Sequence, residues 1–433
     1  MIQQSRKKQV RSWILYDFAN TIFSMCVVTF YFSPWMVEDL GKGDIWYSAG
    51  TSLSMLLVAW TLPFLGEVTD RYNKKGRMLH VMTIICVVST CFMSLGAALS
   101  DSLMVTAVLG LIFFVIANYA YQGALVFYNA YLPDITTSGN YGKISGWGVS
   151  MGYVGAIVGI ILVSPFYDGM IFNWEVPGIA GWGRAATFAP AGILFLLFAL
   201  PVFLHLRDNS NTAAPKGSVS IARPRSLLFP FTDYIRTARD LKLLRFLAAK
   251  FFYEECIETV IIVMNVYLIS VFGFTQSEQI FFFVMVIPAA VIGAAICGYF
   301  VDRFGPKTTL LVVLGGWIAT LIMTIITTDR TYIWLIGCLT GIFLGSKDTS
   351  ARPLFITLSP PERLNECFGL YAFSGKAAAI VGPLVWGILV TFVFAGYGDV
   401  TRYKTGIGAL LVFMIIGFVI LLGVKPQSEE TSR

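Results

Sequence analysis

Four polar side chains, Lys250, Glu254, Glu258 and Asn265, recur at helical spacing within an otherwise apolar stretch, and Glu255 lies beside them. Positions i, i+4 and i+8 share one helix face, so an ammonium and two carboxylates would line up there. Asp17, Asn20, Thr21 and Ser24 form a similar stripe, and so do Asn118, Gln122 and Asn129 with Tyr121 alongside. Lys347, Asp348 and Arg352 make a further cluster, and Lys376 stands alone among apolar residues. A charge at the middle of a bilayer costs about 2.5–3.5 kcal/mol on insertion scales, so such residues face a cavity or a partner. Carboxylates and ammonium groups sharing one cavity suit a zwitterionic or anionic solute. Asp17, Glu254 and Glu258 are also candidates for proton coupling, because a desolvated carboxyl group favours its neutral form unless a cation is near. Each has a plainer reading. Lys250 with Glu254, and Asp348 with Arg352, are spaced to pair along their own helix. Asp17 lies only about five residues into its apolar run, roughly 8 Å, which would make it interfacial.

Other chemistries lack their residues. The two histidines, His80 and His205, stand far apart and no H-E-x-x-H occurs, which argues against a membrane-embedded enzyme. The seven cysteines are scattered and none forms a C-x-x-C pair, so neither a disulfide framework nor a zinc site is indicated. No metal and no cofactor is expected.

The elements that must position these residues are membrane spans. The chain of 433 residues is 56% hydrophobic and only 13% charged, with a mean hydropathy of +0.73. A soluble domain carries about a quarter charged residues. The apolar runs are about 20 residues long and do not alternate, which fits helices and excludes a β-barrel. Six spans are expected over 13–35, 46–68, 78–99, 103–128, 144–166 and 185–206. Six more are expected over 244–271, 280–301, 309–327, 332–351, 367–393 and 406–424. The first run is too long for a signal-peptide core and no small-residue cleavage site follows it. Lysine and arginine concentrate in the N-terminus and the even-numbered loops, so both termini are expected in the cytoplasm. That bias also accounts for the net charge of +6, which therefore does not suggest nucleic-acid binding. The domain organisation expected is a six-helix bundle over 1–206, a basic cytoplasmic linker over 207–243 and a second bundle over 244–433.

The two bundles repeat. Gly66-x-x-x-Asp70-Arg71 closes the second span and Gly298-x-x-x-Asp302-Arg303 closes the eighth. Gly152-Tyr-Val-Gly-Ala-Ile-Val-Gly159 in the fifth matches Gly375-Lys-Ala-Ala-Ala-Ile-Val-Gly382 in the eleventh. Both matches pair span n with span n+6, the pattern of two halves related by an axis along the membrane normal. Asp70, Arg71, Asp302 and Arg303 are candidates for gating, since a carboxylate and a cation can trade partners between two conformations. The glycines of spans five and eleven permit close helix approach.

The Gly66-Glu-Val-Thr-Asp70-Arg71 segment and its echo resemble the signature of the major facilitator superfamily. Trp13-Ile-Leu-Tyr16-Asp17-Phe-Ala-Asn20, Tyr131-Leu-Pro133-Asp134 and Phe368-Gly369-Leu-Tyr371-Ala-Phe-Ser-Gly375-Lys376 resemble the branch of vacuolar amino-acid effluxers and their bacterial relatives. In span ten the sequence departs from that branch, with Asp348 where the relatives tend to carry Gln four residues before an Arg. The resemblance implies an all-α fold of twelve transmembrane helices in two pseudo-symmetric bundles, with spans one, four, seven and ten around a central cavity. Those are the spans that carry the polar stripes. The expected function is secondary transport of a small polar solute by alternating access, with protons as a candidate coupling ion. An exporter of amphipathic drugs or lipids is the alternative within the carrier class, and a channel is the alternative outside it. The expected setting is a bacterial cytoplasmic membrane, with the bilayer and the solute as partners, no nucleic acid, and a monomeric state.

Overall fold

The computed structural model describes residues 2–99, 102–167, 169–171, 174–175, 182–206, 208, 241–394 and 396–425. Among these residues the chain is helical apart from one short hairpin, in which Met170–Ile171 pairs antiparallel with Trp174–Glu175. Six long helices come first: α1 (Ile2–Ile22), α2 (Asp44–Tyr72), α3 (Lys75–Leu99), α4 (Leu103–Asn129), α5 (Tyr141–Tyr167) and α6 (Ala185–His205). Six follow: α7 (Leu241–Phe272), α8 (Gln276–Phe304), α9 (Pro306–Ile326), α10 (Arg330–Leu358), α11 (Leu364–Ile388) and α12 (Asp399–Leu422). Each expected span is thus occupied by one helix. Most of the expected linker, 207 and 209–240, lies outside the described residues.

Ten of the twelve are long and apolar enough to cross a membrane by length and composition. The other two, α10 and α11, are equally long but carry Lys347, Asp348 and Arg352, and Lys376. Their polarity marks where lipid is not the only neighbour. α1 starts at Ile2, well before the Trp13 expected, and runs on through π-helical turns at Phe23–Tyr31 and Trp35–Asp39. Asp17 is only 5% exposed.

Local chemistry sets the ends. Thr275 and Glu278 form a capping box at the start of α8, and the Asp329 side chain accepts from the Thr331 amide at the start of α10. Each satisfies amides that the helix itself leaves unpaired. Asn73 closes α2 in the left-handed conformation (φ 49°), which asparagine tolerates better than most residues.

The chain forms two compact units. The first comprises Met1–Thr136, Met151–Leu227 and Glu362–Gly369; the second comprises Thr137–Ser150, Leu228–Pro361 and Leu370–Arg433. In the first, α1 packs on α6, and α4 on α2 and α3. Its core is aromatic: Trp13 stacks on Tyr128 at 4.4 Å and donates its indole N–H to the Tyr128 carbonyl, while Phe32 stacks on Phe114 at 3.7 Å. In the second, α7 packs on α12, and α10 on α8 and α9. Large side chains such as Leu56, Val312 and Ile326 point outward, as lipid requires.

Glycines admit the closest contacts. In the first unit a Cβ at Gly155 of α5 would strike the Phe18 backbone of α1, 2.8 Å from its Cα. In the second, a Cβ at Gly382 of α11 would overlap Thr259 of α7. The repeated glycine motif therefore seats α5 on α1 and α11 on α7. Gly155→Leu is expected to destabilise the protein by about 1–3 kcal/mol through overpacking. Gly315→Ala, where nothing lies within 4 Å, is expected to leave the melting temperature unchanged or slightly higher. Thermal unfolding in detergent checks both.

Candidate functional site

The long, largely apolar α7 brings its charged face onto α10 and α11 within the second unit. Lys250 and Glu254, one turn apart and both nearly inaccessible, form an ion pair. Lys347 of α10 is also buried, and its ammonium lies 3.5 Å from Glu254, 3.9 Å from Glu258 and 3.7 Å from Asp348. Glu254 is therefore shared by two ammonium groups, and Lys347 is approached by three carboxylates. The Lys250 ammonium also sits over the Tyr371 ring of α11, 4.1 Å from its centroid. Gly375 leaves the space these groups occupy, since a Cβ there would come within 2.8 Å of the Lys250 ammonium.

The cluster has an inner and an outer part. Lys250, Glu254 and Lys347 are buried, whereas the side chains of Glu258 and Asp348 are 41% and 35% exposed. Removing charges from water is costly unless each is paired; buried Lys250, Lys347 and Glu254 leave one net positive charge, which Glu258 and Asp348 approach from the edge. Two carboxylates are then left accessible at the edge. Lys376 is partly buried on α11 and its charge reaches Glu254. Asn265, on the same sequence stripe, lies on the surface about 10 Å further along α7 and does not join the cluster.

In the first unit the stripes are packed in a different way. The Asp17 carboxylate accepts from the Asn20 amide at 3.2 Å, and the Thr21 hydroxyl donates to the Asp17 carbonyl at 2.7 Å. Asn118 of α4 is fully buried and donates to Ser54 of α2 at 2.7 Å. Tyr121 packs against Phe23 at 5.1 Å, and Gln122 is buried beside it on α4. These residues make hydrogen bonds and ring contacts within a close-packed bundle.

The paired aspartates of the repeat have taken on one role twice. In the first unit Asp70 accepts from the Asn365 and Glu366 amides and from the Asn365 side chain, at 3.2, 3.0 and 2.5 Å. In the second, Asp302 accepts from the Gly142 and Lys143 amides at 2.7 and 2.8 Å. Each carboxylate thus caps a helix N-terminus, that of α11 or of α5, where unpaired amides and the helix dipole favour negative charge. These backbone amides are partners that the sequence did not suggest. Arg71 and Arg303 are exposed, and Arg303 lies over the Phe304 ring.

Tyr371 and Gly375 were legible in sequence only as parts of a motif. Their role emerges from the approach of α11 to Lys250.

Comparison with known proteins agrees with this architecture. The family model described as "Vacuole effluxer Atg22 like" matches residues 47–141 and 136–431. The chain is 25% identical to the uncharacterized MFS-type transporter YxiO of Bacillus subtilis (strain 168), covering 98% of this chain and 96% of that protein. It is 21% identical to autophagy-related protein 22 of Vanderwaltozyma polyspora, covering 97% of this chain and 80% of the relative. The crystal structure of a Major Facilitator Superfamily transporter, FucP, in the outward conformation has a TM-score of 0.71 at 12% identity, covering 98% of this chain and 99% of that one. At that identity the likeness speaks to the fold.

Glu254→Ala would leave the ammonium groups of Lys250 and Lys347 without their shared partner. Breaking a buried pair from one side costs about 3–5 kcal/mol. A large fall in melting temperature is expected for Glu254→Ala, and a smaller one for the double variant Glu254→Leu with Lys250→Met, which removes both charges. A double-mutant cycle by thermal unfolding measures the coupling.

Proposed function

This chain belongs to the family of Atg22-like vacuole effluxers, and we propose that it carries a small zwitterionic or anionic solute of the amino-acid class by alternating access. Family membership makes it a multi-pass transporter of the major facilitator superfamily rather than an enzyme. The solute class rests on one observation: buried Lys347 is held against three carboxylates, and two of those, Glu258 and Asp348, remain accessible at the edge of the cluster. These two would receive a solute ammonium group, and Lys376 would receive its carboxylate. The description of the matching family as a vacuole effluxer supports efflux as the direction of movement. The excess of lysine and arginine in the even-numbered loops supports a cytoplasmic-membrane setting with both termini inside.

The reading is tested in proteoliposomes. Amino-acid flux that saturates and is stimulated by solute on the opposite side is expected. Glu258→Gln and Lys376→Met are each expected to weaken the apparent affinity about tenfold or more, equal to ~1.4 kcal/mol. Flux that rises without limit, or that ignores both substitutions, would sink the carrier reading.

We also infer a gating role for Asp70 and Asp302. Their caps can form in one conformation and be lost in another, so they bias a two-state equilibrium. A hydrogen bond to a charged group contributes about 1.5–3 kcal/mol net. Asp70→Ala and Asp302→Ala are therefore expected to shift the conformational populations by about tenfold or more. Single cysteines placed on either side of the membrane and titrated with an impermeant maleimide report the shift; unchanged labelling rates would remove the gating role.

A further inference from the structure

Beside the charge cluster, α7 carries one acidic residue that the solute reading leaves unused. Glu255 follows Glu254 directly, so its side chain departs about 100° further round the helix. It is completely buried (0% exposed), and neither carboxyl oxygen has a hydrogen-bond partner among the described residues. The Thr259 hydroxyl, one turn further on, is buried and likewise unpartnered. Between them and α11 lies the space that Gly382 provides, since a Cβ there would overlap the Thr259 hydroxyl and come 3.1 Å from a Glu255 oxygen.

The ionisable groups on the packed helices are engaged elsewhere. On α10, Lys347 and Asp348 belong to the Glu254 cluster and Arg352 acts on Tyr371. On α11, Lys376 acts on Glu254. On α12, Arg402 pairs with Asp399, and Lys404 donates to the Thr327 carbonyl. On α7 itself, Lys250 pairs with Glu254, Glu258 approaches Lys347, and the adjacent Cys256 is buried. A bare carboxylate in such a place would be an uncompensated buried charge. With a proton it is a neutral acid, and its hydroxyl can turn toward a neighbouring acceptor such as the Thr259 oxygen.

We propose that Glu255 is a proton-binding site and that its loading and unloading couples solute movement to protons. The proposal rests on the transporter reading above and adds its coupling ion. One carboxylate oxygen takes up one proton when the site opens to water on one side. The same oxygen releases it when the site opens on the other, and no electrons change hands. Glu254 lies adjacent but is already held between two ammonium groups, so it serves the cluster's structure.

The test uses the full chain in lipid nanodiscs and in proteoliposomes. Infrared difference spectra between neutral and alkaline pH are expected to show loss of the carbonyl stretch of a protonated carboxyl group. That band should vanish in Glu255→Gln, persist in Glu258→Gln, and reappear at a shifted frequency in Glu255→Asp. A band that survives Glu255→Gln, or none in the wild type, overturns the proton site. In proteoliposomes a pH gradient should drive accumulation of radiolabelled amino acids in the wild type. The accumulation ratio should fall to about one in Glu255→Gln and recover in part in Glu255→Asp. Wild-type accumulation that ignores the gradient overturns the coupling role. The band without any solute flux would refute the transporter reading while leaving the proton site standing. Saturable flux without the band would refute the proton site alone.

Discussion

The ammonium of Lys347 is the constraint around which the second unit is organised. A lysine buried in a membrane helix must find negative charge, and three carboxylates within 4 Å supply it. Glu254 then needs its second cation, Lys250, and Lys250 in turn lies against the Tyr371 ring in space kept open by Gly375. Altering any one member changes the electrostatic requirement of the next, so the cluster fixes the mutual placement of α7, α10 and α11. Glu258 and Asp348 lie at the accessible edge of the cluster, where they offset the positive charge that Lys250, Lys347 and Glu254 leave.

The sequence revealed the helices and the identities of the charged residues more readily than their partners. Long apolar runs have few alternatives in a bilayer, so the twelve spans could be read directly. The i, i+4 spacing announced the Lys250–Glu254 pair. The same spacing placed Asn265 on the stripe, yet the cluster is confined to the stretch of α7 facing Lys347, and Asn265 lies beyond it. Cross-helix approaches, such as Lys347 to Glu254 or Tyr371 to Lys250, depend on how helices pack and leave no periodic trace. Polar residues at the N-terminus concealed that α1 begins at Ile2 and not near Trp13. The comparisons establish the family and the fold, while the solute and the coupling ion depend on the chemistry of these side chains.

The glycine motifs show how a repeat in sequence becomes a repeat in packing. Gly159 brings α5 onto Ile22 of α1, and its counterpart Gly382 brings α11 onto Thr259 of α7. What differs between the repeats is the neighbouring chemistry. α1 offers a single carboxylate, Asp17, hydrogen-bonded with Asn20 and Thr21, whereas α7 offers lysines and glutamates in ion pairs. Two bundles of one architecture have thus acquired different electrostatic characters.

Asp70 and Asp302 each tie a distant helix terminus to the end of their own helix. The aspartate that ends α2 serves α11, and the aspartate that ends α8 serves α5. Each cap joins stretches far apart along the chain, so loss of either carboxylate would leave the first turn of α11 or of α5 with unpaired amides.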